Sequence, residues 1–246
     1  MMFPSLQKST RRLPLAAAGL LLACLSFTAC APLKPETSEF SVGHVRLALP
    51  SGQWQDLGVT QVSLPLASED EARVSVPSRV VALRGPRQEL WAVVQVQAFR
   101  NPEAPGRMLW THACPAQMGV QVEDAAAGSS VRIDCLRFRR WANNAQWLET
   151  NQPLFAKTLA QHQLSLPQAA SHLSYRYATE GGTFVEVQAL VDQRLLRPVT
   201  RGNEAFLQAT RPGKDWTQQL AQSVRTSVGM WDGHLQIPPF PLAIQP

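Results

Sequence analysis

Cys114 and Cys135 are the two cysteines outside the N-terminal segment, and their pairing is the first chemistry to consider. In an oxidising compartment the simplest use of two such cysteines is one disulfide. It closes a loop of about 20 residues, which the chain-entropy account values at roughly 3 kcal/mol. A metal site built from His112, Cys114 and Cys135 is an alternative, but it lacks a fourth ligand at standard zinc spacing; free buried thiols are a third use. The five histidines, His44, His112, His162, His172 and His234, contain no pair three or four residues apart. Each reads as a surface or internally satisfied polar side chain. The runs Glu69-Asp70-Glu71 and Glu123-Asp124 set carboxylates side by side on loops, whereas glycoside hydrolysis needs two carboxylates opposed across a cleft. A G-x-S-x-G elbow, an H-E-x-x-H motif, a phosphate cradle and a dinucleotide fingerprint are all missing from the sequence. No catalytic residue, metal ligand set or cofactor is therefore assigned. A non-catalytic chain is the expectation, with an enzyme whose site carries no motif as the alternative.

Arg132, Arg137, Arg139 and Arg140 form the one basic cluster. On a strand, Arg137 and Arg139 share one face, and Arg132 and Arg140 the other. An anionic ligand such as a lipid headgroup or a peptidoglycan carboxylate would suit such a face, and solvated or ion-paired arginines are the plainer reading. Seven tryptophans accompany them. Trp91 and Trp216 fall on apolar surfaces and read as core. Trp110, Trp141, Trp147 and Trp231 lie near element ends and are the candidates for exposure. An exposed Trp beside Arg has the composition of an interface hot spot, so Arg139, Arg140 and Trp141 are the candidate partner surface.

The chain has 246 residues, 45% of them apolar, with a formal net charge of +5. Lys8, Arg11 and Arg12 supply three of the 23 basic residues and no acid precedes Cys30, so the remainder carries 20 basic against 18 acidic residues, a net +2. Nucleic-acid binding needs a concentrated basic surface and is not expected. The three N-terminal charges have a different meaning. Residues 1–12 form a basic n-region, and residues 13–29 form an uncharged, mostly apolar stretch of 17 residues, the h-region of a secretory signal. It ends in Phe27-Thr28-Ala29-Cys30, which resembles the lipobox of bacterial lipoproteins. In that family a small residue precedes a cysteine whose thiol receives a diacylglycerol. Cleavage leaves that cysteine as the first residue, its amine commonly acylated as well. The resemblance implies cleavage after Ala29 and lipidation of Cys30; Phe27 departs from the family's preference for leucine. Leu21-Leu22-Ala23-Cys24 offers a second match, but a cut there would leave Leu25 and Phe27 beside the anchor. An ordinary signal peptide or an uncleaved anchor is the plainer alternative. Ala31 follows where an aspartate would retain an enterobacterial lipoprotein in the inner membrane, so the resemblance implies the outer membrane. Residues 30–38 then read as a lipidated tether with two prolines.

The mature chain must position the arginines and tryptophans, and its pattern is strand-rich. Residues 40–49 read as a strand, as do 57–66 and 72–83, with Gly85-Pro86 as a turn. Residues 89–99 are the clearest strand, with Leu90, Ala92, Val94, Val96 and Ala98 on one face and Trp91, Val93 and Phe99 on the other. Residues 100–130 are rich in Pro, Gly, Ala and Ser and read as the least ordered stretch. Residues 131–141 form another strand, whose apolar parity changes between Cys135 and Leu136 through a bulge or a shift in burial. A helix is expected from Pro153 to about residue 163, capped by Asn151 or a neighbour and carrying Phe155 and Leu159 inward. A hairpin follows, with Leu173, Tyr175 and Tyr177 on one arm and Val185, Val187, Ala189 and Val191 on the other. The last helix starts near Lys214-Asp215, places Trp216, Leu220, Val224 and Val228 on one face, and is capped by Gly229.

Residues 39–237 therefore read as one globular domain of the α+β class, a mostly antiparallel sheet flanked by two or more helices, followed by an extended Pro-rich tail at 238–246. A β-rich sandwich with peripheral helices is the alternative. Three features resemble the α/β/α sandwich of PsbP-like proteins: a strand ending in a proline-then-tryptophan turn at 47–54, the late hairpin, and a final amphipathic helix with Ser223 and Ser227. The insert at 100–130 and the prolines after Ile237 depart from that pattern, and the resemblance implies a sandwich fold but nothing about catalysis, since fold does not fix function. The functional expectation is a lipid-anchored envelope protein on the periplasmic side, binding an envelope protein or ligand. A carrier of an apolar ligand held between helix and sheet is a further alternative.

Overall fold

The computed structural model describes residues 39–66, 73–100, 109–110, 114–142, 145–164, 169–197, 200, 202, 204–205 and 211–243; the lipobox, the tether, the acidic run at 69–71 and His112 lie outside the described residues. In chain order the strands are β1 (Glu39–Val42), β2 (Val45–Ala48), β3 (Gln53–Pro65), β4 (Arg73–Arg84), β5 (Leu90–Arg100), β6 (Gln121–Asp124), β7 (Ile133–Arg139), β8 (Ala170–Ala178), β9 (Thr183–Asp192) and β10 (His234–Gln236). The helices are α1 (Ala145–Asn151), α2 (Pro153–Gln161), α3 (Gln193–Leu196) and α4 (Arg211–Gly229).

Seven strands pair antiparallel in the order β3-β4-β5-β9-β8-β7-β6. The centre of the sheet, β5 and β9, is apolar on both faces over much of its length because both faces are covered. On one face lie α4 and a small sheet in which β2 pairs antiparallel with β1 and parallel with β10. Val81, Val94, Val187 and Tyr175 of the large sheet meet Leu47, Leu220, Val224 and Leu235 there. On the other face α1 and α2 set Leu148, Phe155 and Leu159 against Val80, Val93 and Leu190. The α+β class, with a mostly antiparallel sheet flanked by helices, is the architecture observed.

The expected strand at 40–49 is two strands. Gly43 turns the chain at φ +56°, and a Cβ there would stand 2.4 Å from the Ala98 carbonyl oxygen. Only glycine allows both the left-handed turn and that approach. Another correction concerns β5. Leu83 pairs with Ala92 but Arg84 pairs with Leu90, so Trp91 is an extra residue and Leu90 leaves the Ala92 face to pack with Val93. Along β7, by contrast, the register is unbroken. Cys135 and Leu136 are both buried, on opposite faces, so the parity change reflects burial on two sides.

Pro153 opens α2 as expected, but Asn151 is the last residue of α1 and Gln152 stands at the cap position without a side-chain cap bond. Helix α4 begins at Arg211 rather than near Lys214 and presents Trp216, Leu220 and Val224 to the sheet. Gly229 is still helical; the positive φ that ends this region belongs to Gly233. The residues after Ile237 do not stand apart from the domain. The Trp216 Nε1 donates to the Pro238 carbonyl at 3.0 Å, Phe240 stacks on the Trp216 ring with centroids 5.1 Å apart, and the Leu242 amide donates to the Leu195 carbonyl.

Candidate functional site

The end of β7, the strand next to the edge strand β6, delivers Arg139, Arg140 and Trp141. Strand alternation sends the two arginines to opposite faces, which divides the expected trio. Arg139 shares its face with Arg137 and Cys135. Its Nε donates to the Trp141 carbonyl at 2.7 Å, and its guanidinium lies 4.5 Å over the Trp147 ring. Arg139 therefore clamps the backbone beneath Trp141, and its Nη1 also donates to the Met118 carbonyl at 3.4 Å. Arg140 is held differently: its carbonyl accepts from Ser171 Oγ and from Gln193 Nε2. Its guanidinium stands 5.7 Å from the Trp141 ring, and Arg197, just past α3, stands 4.9 Å from the same ring. Burial holds both guanidiniums below the usual arginine value, and Arg140 beside it adds to the effect at Arg197. Trp141 itself is 49% exposed. The result is a half-exposed indole with two guanidiniums against its ring, of which Arg197 also donates to the Gln193 side chain. The sequence does not join Arg197 to Trp141, because the two lie 56 positions apart and the four-residue helix before Arg197 is too short to show a helical period.

The other candidate tryptophans divide. Trp231 is fully exposed beyond α4, Trp147 is half-buried against His172, and Trp110 is buried against Phe184. For Trp110 the expected exposure fails because its ring closes an apolar cluster with Val76, Ile133 and Ala178, and its Nε1 donates to the Thr179 carbonyl at 3.3 Å. Cys114 and Cys135 form a disulfide across the edge of this cluster, with Cα atoms 5.5 Å apart. Both sulfurs are thereby occupied, which removes the zinc and free-thiol readings.

Between the Trp110 cluster and the α1–α2 cluster, the same face of the sheet is polar. Ser78, Gln97, Glu186, Arg176 and Cys135 stand in one row across β4, β5, β9, β8 and β7. Val80, Gln95, Gln188, Ser174 and Arg137 form the next row. Arg176 Nη2 reaches both Glu186 carboxylate oxygens at 3.1 and 3.0 Å, Gln188 donates to Glu186 at 3.1 Å, and Gln95 donates to Ser78 at 2.8 Å. Arg137 donates to Gln117, and Gln117 donates to Asn151 at the end of α1. Over these rows lies a recess of about 130 Å³ lined by Pro115, Cys135, Arg137, Asn151, Ser174, Arg176 and neighbouring groups. His172, expected at the surface or internally satisfied, is fully buried at the border of this strip with its Nε2 unpartnered, and burial pushes its pKa down to about 3.

The strip was partly legible. Gln95 and Gln97 interrupt the most apolar strand of the chain, and two glutamines in the centre of a covered strand are a signal of internal polar structure. The alternation of His172, Ser174 and Arg176 gave no such signal, because a polar face toward water and a polar face toward an internal recess have the same pattern. Among the described residues, no group of three His, Cys, Asp or Glu side chains is placed to hold a metal. Fold and sites together define a three-layered, helix-covered antiparallel α+β domain with a tryptophan–arginine surface beyond the end of β7. No family model, no curated protein and no solved structure matches the chain.

Proposed function

We propose that the chain is a lipid-anchored protein of the bacterial cell envelope, non-catalytic, whose domain binds a partner through Trp141, Arg140 and Arg197. The observation that carries the binding role is the half-exposed Trp141 ring with two guanidiniums against it at 4.9 and 5.7 Å. Tryptophan and arginine are enriched among the few residues that carry most of the energy of an interface. The anchor rests on the lipobox: cleavage after Ala29, lipid on Cys30, residues 30–38 as the tether and the outer membrane as the destination. Two or three acyl chains make such an anchor stable, at about 0.8 kcal/mol per buried methylene. The helix-covered sheet and the final helix support a PsbP-like sandwich as the finer description of the fold.

The test is crosslinking in intact cells followed by mass spectrometry of the proteins captured with the wild-type chain and with Trp141→Ala. The variant should retain its stability within about 0.5 kcal/mol, as surface substitutions do, and lose a specific captured partner. Equal capture of the same proteins by both chains would count against the surface.

A further inference from the structure

The recess beneath α1 has a charge that its own walls leave unbalanced. Arg137 and Arg176 both line it, and Glu186 is the carboxylate beside them. Glu186 is already committed: both its oxygens accept from Arg176, and one also accepts from Gln188. Arg137 receives only the neutral amide oxygen of Gln117, and among the described residues no carboxylate lies within ion-pair distance of it. A guanidinium cannot shed its proton to escape burial, and even a half-buried cation is penalised when the nearest carboxylate is committed to another arginine. The Nε atoms of Arg137 and Arg176 are buried without a partner among the described residues. Burial and the neighbouring Arg176 both press the Arg137 value down, against the opposing pull of Glu186. The recess thus lacks one negative charge, and Arg137 and Arg176 line it together with Ser174 and Asn151.

We infer that the recess binds a small oxyanion, a carboxylate or a phosphate, with Arg137 as its principal ligand and Arg176 beside it. The size agrees: about 130 Å³ accommodates such an anion, whereas sites for drug-sized molecules run from about 300 Å³ upward. The framework is also fixed before binding. The Cys114–Cys135 disulfide ties the segment bearing Pro115 and Gln117 to β7, Gln117 bridges Arg137 to Asn151, and Arg176 is held by Glu186. A preformed fork loses little entropy on engaging a planar or tetrahedral oxyanion. This site is separate from the Trp141 surface, on which the anchored binding role rests, and either can fail alone.

The test is titration calorimetry of the full-length protein in detergent with inorganic phosphate, acetate and succinate, using sodium chloride at matched ionic strength as the control. Phosphate or a carboxylate should bind saturably at one site. Saturation by phosphate alone assigns a phosphate site and saturation by acetate or succinate a carboxylate site, and chloride should not compete at equal strength. Arg137→Gln should weaken binding at least tenfold, and Arg132→Gln, an exposed arginine outside the recess, should leave it unchanged. Arg137→Lys should bind less weakly than Arg137→Gln, because it keeps the charge and loses the fork. The Nε–H resonances of Arg137 and Arg176 in the wild-type protein give a readout that no folding defect can mimic, and the bound anion should shift them. Absence of saturable binding on the order of 10 mM anion, or unchanged affinity in a folded Arg137→Gln, would overturn the inference. Trp141→Ala should leave the titration as it is.

Discussion

Arg225 of α4 grips Asp134 of β7 with a two-pronged ion pair, Nη2 to Oδ1 at 2.8 Å and Nε to Oδ2 at 2.9 Å. The same carboxylate accepts from the Tyr175 hydroxyl at 2.8 Å, and the Arg225 guanidinium lies 5.4 Å from the Tyr175 ring. Burial, with the Asp134 bond next, pushes the Tyr175 phenol well above its ordinary value, and the bond to Asp134 raises Arg225. The long helix is thus fastened to the large sheet by one half-buried polar joint inside an otherwise apolar contact.

Removing that carboxylate strands two partners at once. Asp134→Ala should cost about 2 kcal/mol, the loss expected when charge-assisted bonds are broken and their donors stay partly buried. Tyr175→Phe should cost about 1 kcal/mol, since only one neutral donor goes. Urea unfolding of the two variants checks the ranking, and equal midpoints for both and the wild type would show the joint to be idle.

The disulfide should be complete in the protein as isolated. Without reductant, neither Cys114 nor Cys135 should react with an alkylating reagent, and rapid labelling of both would contradict the pairing. Replacing both cysteines by serine should lower stability by roughly 3 kcal/mol, the chain-entropy value for a loop of this length.

Acid should destabilise the fold through His172. Its folded value of about 3 lies below the ordinary 6.5, so the unfolded chain takes up a proton that the folded chain refuses. The resulting stability is fully present above the ordinary value and is lost as pH falls from there toward 3; the loss by pH 5 is about 2 kcal/mol. Urea midpoints measured from about pH 7.5 to pH 5 should fall more steeply for the wild type than for His172→Leu. Parallel curves would mean that another group carries the dependence.

Cys30→Ser should abolish labelling of the chain by palmitate in cells and leave a precursor or an aberrantly processed product. Labelling at the wild-type level would transfer the anchor to Cys24.

What the sequence makes legible here is set by how each signal is stored. The last helix was readable because Trp216, Leu220 and Val224 repeat at the helical period, and the late hairpin because its arms alternate on either side of Gly181-Gly182. The disulfide followed from counting cysteines. The Gly43 turn was hidden because Val42 and Val45 continue an apolar run across it, and the need for glycine comes from Ala98, which is distant in sequence. Simple alternation puts Leu90 on the wrong face because a single extra residue, Trp91, inverts parity without changing composition. Arg140 and Trp141 were identified as neighbours, but Arg197 joins them only through the order of strands. The polar recess is the extreme case. Its residues come from β7, β8, β9, the α1–α2 junction and the segment after Cys114, and each alone has the look of a solvated side chain.

The pairing of β2 with β10 ties the two ends of the domain together: Arg46 and Asp232, joined by an ion pair at 2.9 Å, are 186 positions apart. Closing a loop of that length comes late in folding, since its entropy cost falls due before its contacts form. The first hairpin of the domain must therefore wait for nearly the whole chain before its third strand arrives. Pro238 and Phe240 then cap Trp216 from beyond that strand. Assembly of this region is thus completed by β10 and the residues just after it, and without them the first strands and the apolar surface of α4 would stand open to any neighbour.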